Sequence, residues 1–235
     1  MKQSLCIILL LLSSFLLSGQ DGMQFDYKQE DKKLASYQTV YFNLHLDIVG
    51  GINNLLRSND YPEMDEFGYQ YGIRFGAQRG KKLAGLVDFG YYTRGTNESN
   101  NTNNFARITG WSAGIGAEYF LIKTKFMFIS PMFLVSYNRY TLNMVQNPGG
   151  NTIDGLINSD YQEYKFRSIQ YPVQAGLNIS GSFNVANSKI GVVLAAGYIL
   201  NYQNDNWATL QGSEVTDKIN LSSPYASFGL FSSIN

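Results

Sequence analysis

Charge is scarce in this sequence, and its two signs balance. Lysine and arginine together number 18, aspartate and glutamate also number 18, and charged residues make up only 15% of the 235 residues. Soluble domains carry about 25% charged residues, so this composition would make a poor water-facing surface. The balance of charge also argues against a nucleic-acid-binding protein, which would carry an excess of basic residues.

Thiol chemistry is almost absent as well. The one cysteine, Cys6, lies within an apolar run over residues 5–17 that follows Lys2 and precedes small residues. A basic residue, a short apolar stretch and small residues in this order are typical of a secretory signal peptide, which we assign to residues 1–19. Its removal is predicted to leave a chain without a thiol, a disulfide or a cysteine metal site.

Long hydrophobic runs are missing from the rest of the chain. After residue 20 no apolar run reaches the roughly 18–20 residues that a membrane helix needs. A helical membrane protein is therefore excluded. A membrane protein built from strands is not excluded, because its spans are shorter and only alternately apolar.

Alternation is what the sequence has in place of long runs. The stretch YQTVYFNLHLDIV, residues 37–49, separates into two rows when it is read at every second position. The apolar row is Val40, Phe42, Leu44, Leu46 and Ile48, and the other row is Tyr37, Thr39, Tyr41, Asn43, His45 and Asp47. Successive side chains of a strand point to opposite faces, so the pattern predicts a strand with one apolar and one polar face.

The same pattern recurs along the chain and predicts eight strands. The other seven are residues 67–78, 83–94, 108–119, 127–140, 168–180, 189–202 and 224–235. Pro131 and Pro172 lie within two of them, where a bulge or a strand end is expected because proline cannot donate a ladder hydrogen bond.

The connections between these strands alternate in length. Long ones are predicted at 50–66, 95–106, 141–164 and 203–218, and short ones at 79–82, 121–124 and 181–188. Short turns on one side and long loops on the other indicate an all-β, eight-stranded antiparallel up-and-down transmembrane β-barrel. The long connections are rich in Asn, Gly, Asp and Ser, and we expect them to be mobile loops.

Alternation alone fits two barrels, one apolar outside and one apolar inside. The polar rows are dominated by Gly, Ser, Asn and Gln, which suits the crowded interior of an eight-stranded barrel better than a surface in water. The apolar rows carry Tyr, Phe and Trp near strand ends, as aromatic girdles at membrane interfaces do. The sequence therefore favours a membrane barrel, and the alternative is a soluble lipocalin-like binder of small molecules.

Six ionisable residues fall on the rows that a membrane barrel turns inward. They form the predicted polar network of the lumen: His45, Asp47, Arg74, Asp88, Arg94 and Glu118. Unpaired burial of a charge costs several kcal/mol, so we expect these groups to pair into a salt-bridged plug. A conducting porin needs a wider barrel and is not predicted.

Three stretches carry a resemblance to a known family: the SGQ that ends the signal peptide, the hairpin sequence GYQYGIRFGAQ and the strand IQYPVQAGLNI. The chain resembles the small outer-membrane β-barrel proteins of Bacteroidetes-type bacteria, including PorT-like proteins. The resemblance covers roughly Tyr37 to the end. We predict a periplasmic leader over residues 20–36 and an outer-membrane barrel over 37–235. The expected partners are outer-membrane lipid and lipopolysaccharide, with envelope or secretion-complex proteins as further ones. Some PorT-like members are implicated in type IX secretion, and the family carries no catalytic residues to transfer.

Two groups of residues suggest other kinds of chemistry. His45 has Asp47 on its own strand face, and a histidine oriented by a carboxylate can act as a general base, as in a lipid-modifying outer-membrane enzyme that transfers or removes acyl chains. No G-x-S-x-G nucleophile motif is present. Asp60, Glu63, Asp65 and Glu66 could attract a divalent cation, but their spacing matches no EF-hand loop. The predicted function is a non-enzymatic structural or accessory barrel of the cell envelope, without cofactor or metal.

Overall fold

The described part of the chain begins after the predicted signal peptide. The computed structural model describes residues 35–46, 51–59, 61–79, 82–96, 104–124, 126–146, 162–185, 188–201, 207–209 and 219–234. The predicted signal peptide, residues 20–34 of the predicted leader, Asp47 and Asp60 lie outside these ranges.

Strands make up nearly all of the described residues. In chain order they are β1 Ala35–Leu46, β2 Phe67–Arg79, β3 Leu83–Gly95, β4 Phe105–Tyr119, β5 Ile122–Lys123, β6 Met127–Gln146, β7 Gln162–Gln170, β8 Val173–Val185, β9 Ser188–Leu200, β10 Trp207–Thr209 and β11 Ser223–Ile234. A helix, α1 Gly51–Ser58, follows β1. No helix within the described ranges is long and apolar enough to cross a membrane.

Antiparallel pairing closes these strands into a ring. The order runs β1, β2, β3, β4, β6, then β8, β9 and β11, and β11 pairs with β1 over residues 36–45. β7 and β8 pair with successive halves of β6 and together take one position in the ring. The predicted fold class, a closed eight-stranded antiparallel barrel, is confirmed. β5 and β10 are short additions that pair with β6 and β7.

Proline interrupts one strand of the ring. Residues 171 and 172 separate β7 from β8, and the Pro172 carbonyl accepts a 3.1 Å hydrogen bond from the Ser136 amide of β6. The expectation of a strand end therefore holds at Pro172. It does not hold at Pro131, which lies inside β6 and keeps its register opposite Leu177 of β8.

The apolar rows face outward on all the strands of the ring. Ile115 is 70% exposed, and Phe89, Leu194 and Phe228 are about half exposed. The inward rows are buried and hold most of the buried polar side chains. The alternative of a soluble lipocalin-like binder is wrong on this point, because such a barrel would bury its apolar rows.

The long connections contain more structure than the sequence suggested. Residues 51–58 and 207–209 were predicted as loop and form α1 and β10, while β6 continues to Gln146 and β7 begins at Gln162. The loop prediction is wrong at these positions. For β6 the physical reason is that the inward row becomes apolar and the outward row polar at this end of the barrel, so the phase of the alternation reverses.

An apolar cap fills the barrel at the end where the long connections lie. Its buried members are Ile52, Leu56, Tyr61, Met64, Ala106, Ile108, Tyr140, Leu142, Met144, Trp207 and Ile219. α1 contributes Ile52 and Leu56, which are spaced four apart and so share one face of the helix. The side chain of Asn53, in the same helix, binds the backbone of Met64. Its Nδ2 donates to the Met64 carbonyl at 3.2 Å, and its Oδ1 accepts from the Met64 backbone N–H at 2.9 Å.

We expect Leu56→Ala to loosen α1 from the barrel. Leu56 is fully buried in the cap, and leucine-to-alanine changes in a core cost about 2–5 kcal/mol. Amide hydrogen exchange of residues 52–58 should speed up by at least about 25-fold, since each 1.4 kcal/mol is a factor of ten. Asn54→Ala, at an exposed position of the same helix, is the matched control. Equal exchange in the two variants would show that the cap does not hold α1.

Candidate functional site

The lumen is the candidate functional site, and it holds the ionisable residues that the sequence assigned to it. His45, Arg74, Asp88, Arg94 and Glu118 are all buried. Asp47 lies outside the described residues. The five described side chains divide into one ion pair and three separate hydrogen-bonded groups, so the network has fewer salt bridges than a fully paired plug would have.

The ion pair lies near the middle of the barrel. Arg74 of β2 donates its Nε hydrogen to Asp88 Oδ1 of β3 at 2.8 Å, and the two residues are direct partners across the strands. The Tyr41 hydroxyl donates to Asp88 Oδ2 at 2.7 Å, and the Arg74 guanidinium lies 5.0 Å from the Tyr41 ring centre. A buried ion pair is stable only when further hydrogen bonds satisfy its remaining atoms, and Tyr41 supplies one.

Glycine makes room for the tyrosine rings of this layer. A Cβ atom at Gly72 would lie 2.3 Å from Tyr41 ring atoms, and one at Gly76 would lie 2.1 Å from the Tyr37 ring. Both glycines lie on the inward row of β2, directly opposite these tyrosines of β1. Glycine alternation on the inward rows is therefore a packing requirement of a narrow barrel.

Glu118 is held by neutral donors from other strands. The Tyr37 hydroxyl and the Ser130 hydroxyl donate to its carboxylate, and Asn178 Nδ2 donates to Oε1 at 2.7 Å. Glu118 is 2% exposed, and no ion pair to it occurs among the described residues. Its charge is thus stabilised by hydrogen bonds from β1, β6 and β8, which tie three positions of the ring together.

His45 has a defined hydrogen-bond partner on each ring nitrogen. Nε2 lies 3.0 Å from Gln70 Oε1, and Nδ1 lies 3.3 Å from Ser223 Oγ. A carbonyl oxygen can only accept, so Nε2 carries the hydrogen and Nδ1 accepts from the serine hydroxyl. Gln70 in turn donates to Ser112 Oγ at 3.2 Å and accepts from Asn43 at 3.0 Å. The ring also contacts Tyr92 edge to face at 5.5 Å.

Arg94 lies toward the apolar cap and binds backbone. Its Nε donates to the Asp65 carbonyl at 2.6 Å, and the Asp65 amide donates to the Gly95 carbonyl at 2.9 Å. These bonds fix the residues that precede β2 to the end of β3. Glu63 of the acidic stretch pairs with Arg57 of α1 instead. No group of three or more His, Cys, Asp or Glu suited to a metal occurs in the described ranges.

Aromatic side chains close the lumen at the end where the short turns lie. Phe128 packs edge to face against Phe120 and Phe231, with ring centres 5.4 Å apart in both pairs. The Lys123 ammonium lies 5.0 Å from the Phe120 ring centre. The polar layer thus lies between this aromatic cluster and the apolar cap.

Between the polar layer and the cap lies a small cavity. It measures about 40 Å³ and is bounded by Asp88 and Leu134 toward the short turns and by Arg94 and Tyr140 toward the cap. A buried water needs about 10–15 Å³, so the cavity has room for about three waters. The cavity is therefore the size of a small water cluster.

Sequence reasoning did not single out several members of this network; it placed all of them on inward rows except Ser223, which precedes the predicted last strand. They are Tyr37, Tyr41, Gln70, Ser130, Asn178 and Ser223. Their partners are 12 to 178 residues away along the chain. The glycines opposite Tyr37 and Tyr41 were the available signal, since a glycine beside a tyrosine on neighbouring inward rows indicates a ring lying in the lumen.

Comparison with known proteins identifies no family. The chain matches no protein-family model and no curated protein. Among solved structures it is similar to Ail, the attachment invasion locus protein of Yersinia pestis, at 10% identity and a TM-score of 0.42, covering 86% of this chain and 97% of Ail. It is also similar to neisserial surface protein A, at 14% identity and a TM-score of 0.38, covering 85% and 96%. The fold assignment rests on the strand pairing of this chain itself.

We expect Gly76→Ala to destabilise the barrel because its methyl group would overlap the Tyr37 ring. Overpacking of this kind costs about 1–3 kcal/mol. Gly85→Ala is the matched control, since a Cβ atom there meets nothing within 4 Å. Unfolding in guanidinium from lipid vesicles measures both. An unchanged midpoint for Gly76→Ala would mean that the ring does not lie where we place it.

Removing one charge of the central pair should harm the barrel more than removing both. Asp88→Asn leaves Arg74 as an unpaired buried cation, which costs about 3–5 kcal/mol. The double variant Arg74→Gln with Asp88→Asn should recover part of that loss, because no net buried charge remains. A double-mutant cycle of unfolding free energies tests this. If the two single losses simply add, the two side chains are not coupled.

Proposed function

We propose that this protein is a non-conducting outer-membrane β-barrel that serves as a structural or accessory component of the cell envelope. The observation that carries the proposal is the outward apolar belt. Side chains such as Ile115, Phe89 and Leu194 are exposed around a ring that has no open edge. An exposed apolar patch is normally at most about 300–600 Å² on a soluble monomer, whereas lipid requires such a belt and a closed ring.

The lumen supports the non-conducting part of the proposal. The Arg74–Asp88 pair and the hydrogen bonds to Glu118 fill the middle, and apolar clusters close both ends. A rigid, filled barrel presents two functional surfaces, its rim and its loops. We therefore attribute the function of the protein to the partners that bind its rim and its loops.

The resemblance to PorT-like barrels suggests the first partners to test. A secreted chain whose residues 1–19 are removed would place residues 20–36 and the short turns in the periplasm of a Bacteroidetes-type cell. A secretion assembly of the type IX kind would meet the barrel there. On the other side, the helix α1 and the cap would hold the long connections for contact with envelope components.

A lipid-modifying enzyme is the rival function, and the geometry of His45 argues against it. The His45–Ser223 contact is a base beside a hydroxyl, which is the minimal arrangement for a nucleophile. However, both residues lie on inward rows and are buried, away from the lipid that such an enzyme must reach. The other ring nitrogen is held by the neutral Gln70.

We expect Ile115→Arg to destabilise the protein in lipid far more than Val185→Arg. Ile115 lies in the middle of β4 and Val185 at the end of β8, and both are exposed apolar side chains of the outward rows. An arginine on the lipid face costs about 2–4 kcal/mol at mid-bilayer and about 0–1 near an interface. Unfolding from vesicles measures both variants.

Cell fractionation, with gel mobility before and after boiling, accompanies that measurement. The unmodified protein is expected in the outer membrane with a heat-dependent shift. A soluble protein in which both arginine variants are equally tolerated would overturn the proposed function.

A further inference from the structure

A cluster of charged side chains lies on the outer face of the barrel near the long connections. Among the outward strand side chains that the structure describes, the charged ones lie on β4, β6 and β7 toward the end with the long connections. They are Arg107, Arg139, Glu163, Lys165 and Arg167. Arg107, Arg139, Lys165 and Arg167 are named the basic patch.

Strand register places the basic patch on a compact lattice. Trp111 pairs with Arg139, and Arg139 pairs with Ile169. In the next outward row, toward the long connections, Thr109 pairs with Thr141, and Thr141 pairs with Arg167. The third row is Arg107, Asn143 and Lys165. Neighbouring strands are about 4.8 Å apart and same-face residues about 6.6 Å apart, so the patch is ~10 Å wide and ~13 Å tall.

The basic patch carries more positive charge than its neighbours neutralise. Lys165 pairs with Glu163 at 2.9 Å, and Arg107 donates to the neutral Thr93 hydroxyl at 3.3 Å. Arg139 and Arg167 have no ion pair among the described residues. They are diagonal neighbours on adjacent strands, about 7–8 Å apart, where like charges repel. An anion at this position would relieve that repulsion.

Directly beside the basic patch, toward the middle of the barrel, β4, β6 and the residue that follows β7 carry an aromatic row. Trp111 packs against Tyr137 at 5.3 Å, and Tyr137 packs against Tyr171 at 5.6 Å. Beyond them the outward side chains are aliphatic, as at Ile115, Val135 and Val173. The sequence of layers is therefore basic, aromatic and aliphatic, which matches a phosphate group joined to acyl chains rather than a free phosphate ion.

We propose that the basic patch binds the phosphates of an acylated, phosphorylated glycolipid of the lipopolysaccharide class in the outer leaflet. This inference rests on the proposed function, which places these strands in that membrane. Arginine pairs with phosphate through two parallel hydrogen bonds. The Thr109 and Thr141 hydroxyls and the Asn143 amide lie on the same face and supply further hydrogen bonds to the sugar and phosphate oxygens. The acyl chains lie along the aromatic and aliphatic rows beneath.

The test measures binding of a bisphosphorylated lipid A to the full-length protein refolded in a phosphate-free maltoside detergent. The same acylated disaccharide without phosphates and inorganic phosphate alone are the comparison ligands. We expect the bisphosphorylated lipid to bind at least tenfold more tightly than the phosphate-free lipid, with an affinity that falls as salt rises. Inorganic phosphate at the same concentrations should not compete.

Substitution of the unpaired arginines tests the assignment to these residues. A basic residue beside an anionic surface contributes about a fivefold factor, so Arg139→Gln with Arg167→Gln should weaken binding about 25-fold. Arg57→Gln with Lys82→Gln removes the same charge from exposed positions elsewhere and should leave binding unchanged. Arg139→Lys with Arg167→Lys should retain most of it. Heat-dependent gel mobility verifies that each variant is folded.

The outcomes separate this inference from the proposed function. Equal binding of both lipids, or equal loss in the two glutamine variants, overturns the lipid site while the membrane barrel stands. Competition by inorganic phosphate at the lipid's own affinity overturns the choice of a lipid ligand. Recovery of the protein in the soluble fraction of cells would overturn the proposed function, and the lipid site with it.

Discussion

The pairing of β11 with β1 is the constraint on which the rest of the structure depends. It removes both edges of the sheet, so the backbone of the ring has its partners within the sheet. Only then can the outward rows be apolar over the whole circumference, because lipid offers no hydrogen bonds to an open edge. The packing of the side chains inside the ring then follows from how narrow the lumen is.

Because the lumen is narrow, each inward side chain must fit closely against those of the neighbouring strands. Tyrosines from β1 occupy the space that Gly72 and Gly76 leave open, and their hydroxyls reach the carboxylates of Asp88 and Glu118. The two buried carboxylates are thus stabilised in different ways, one by a guanidinium and one by neutral donors. The polar layer holds strands together that are distant in sequence, and it occupies the middle of the lumen.

A feature of the fold or of the lumen could be predicted from the sequence when the residues that form it are close together along the chain. Alternation is local, so the outward rows through Phe42, Phe89 and Ile115 and the number of strands were predictable. The position of Glu118 on an inward row was predictable for the same reason. Its partners were not, because Tyr37 and Asn178 meet it only after the ring has closed. Spacing along the chain contains no information on that meeting.

The end with the long connections was the part that sequence reasoning described wrongly. There the inward row of β6 carries Leu142 and Met144 and the outward row carries Thr141 and Asn143, so the phase of the alternation is opposite to that of the preceding part of the strand. The spacing of Ile52 and Leu56 is a helical signal, but it lies in a short stretch among asparagines. The helix forms because the barrel end offers an apolar surface that those two side chains cover. Tertiary packing decides such elements, and local propensity does not.

The two tryptophans allow the most direct test of the central claim, that the outward rows face lipid. Trp111 is 46% exposed on the outward row of β4, and Trp207 is 1% exposed in the cap. Fluorescence of the protein refolded into vesicles of brominated lipid would be recorded for Trp207→Phe, which retains Trp111, and for Trp111→Phe, which retains Trp207. The account predicts strong quenching of Trp111, greatest with bromines near the headgroup end of the acyl chains, and little quenching of Trp207. Quenching of Trp207 with Trp111 unaffected would contradict it.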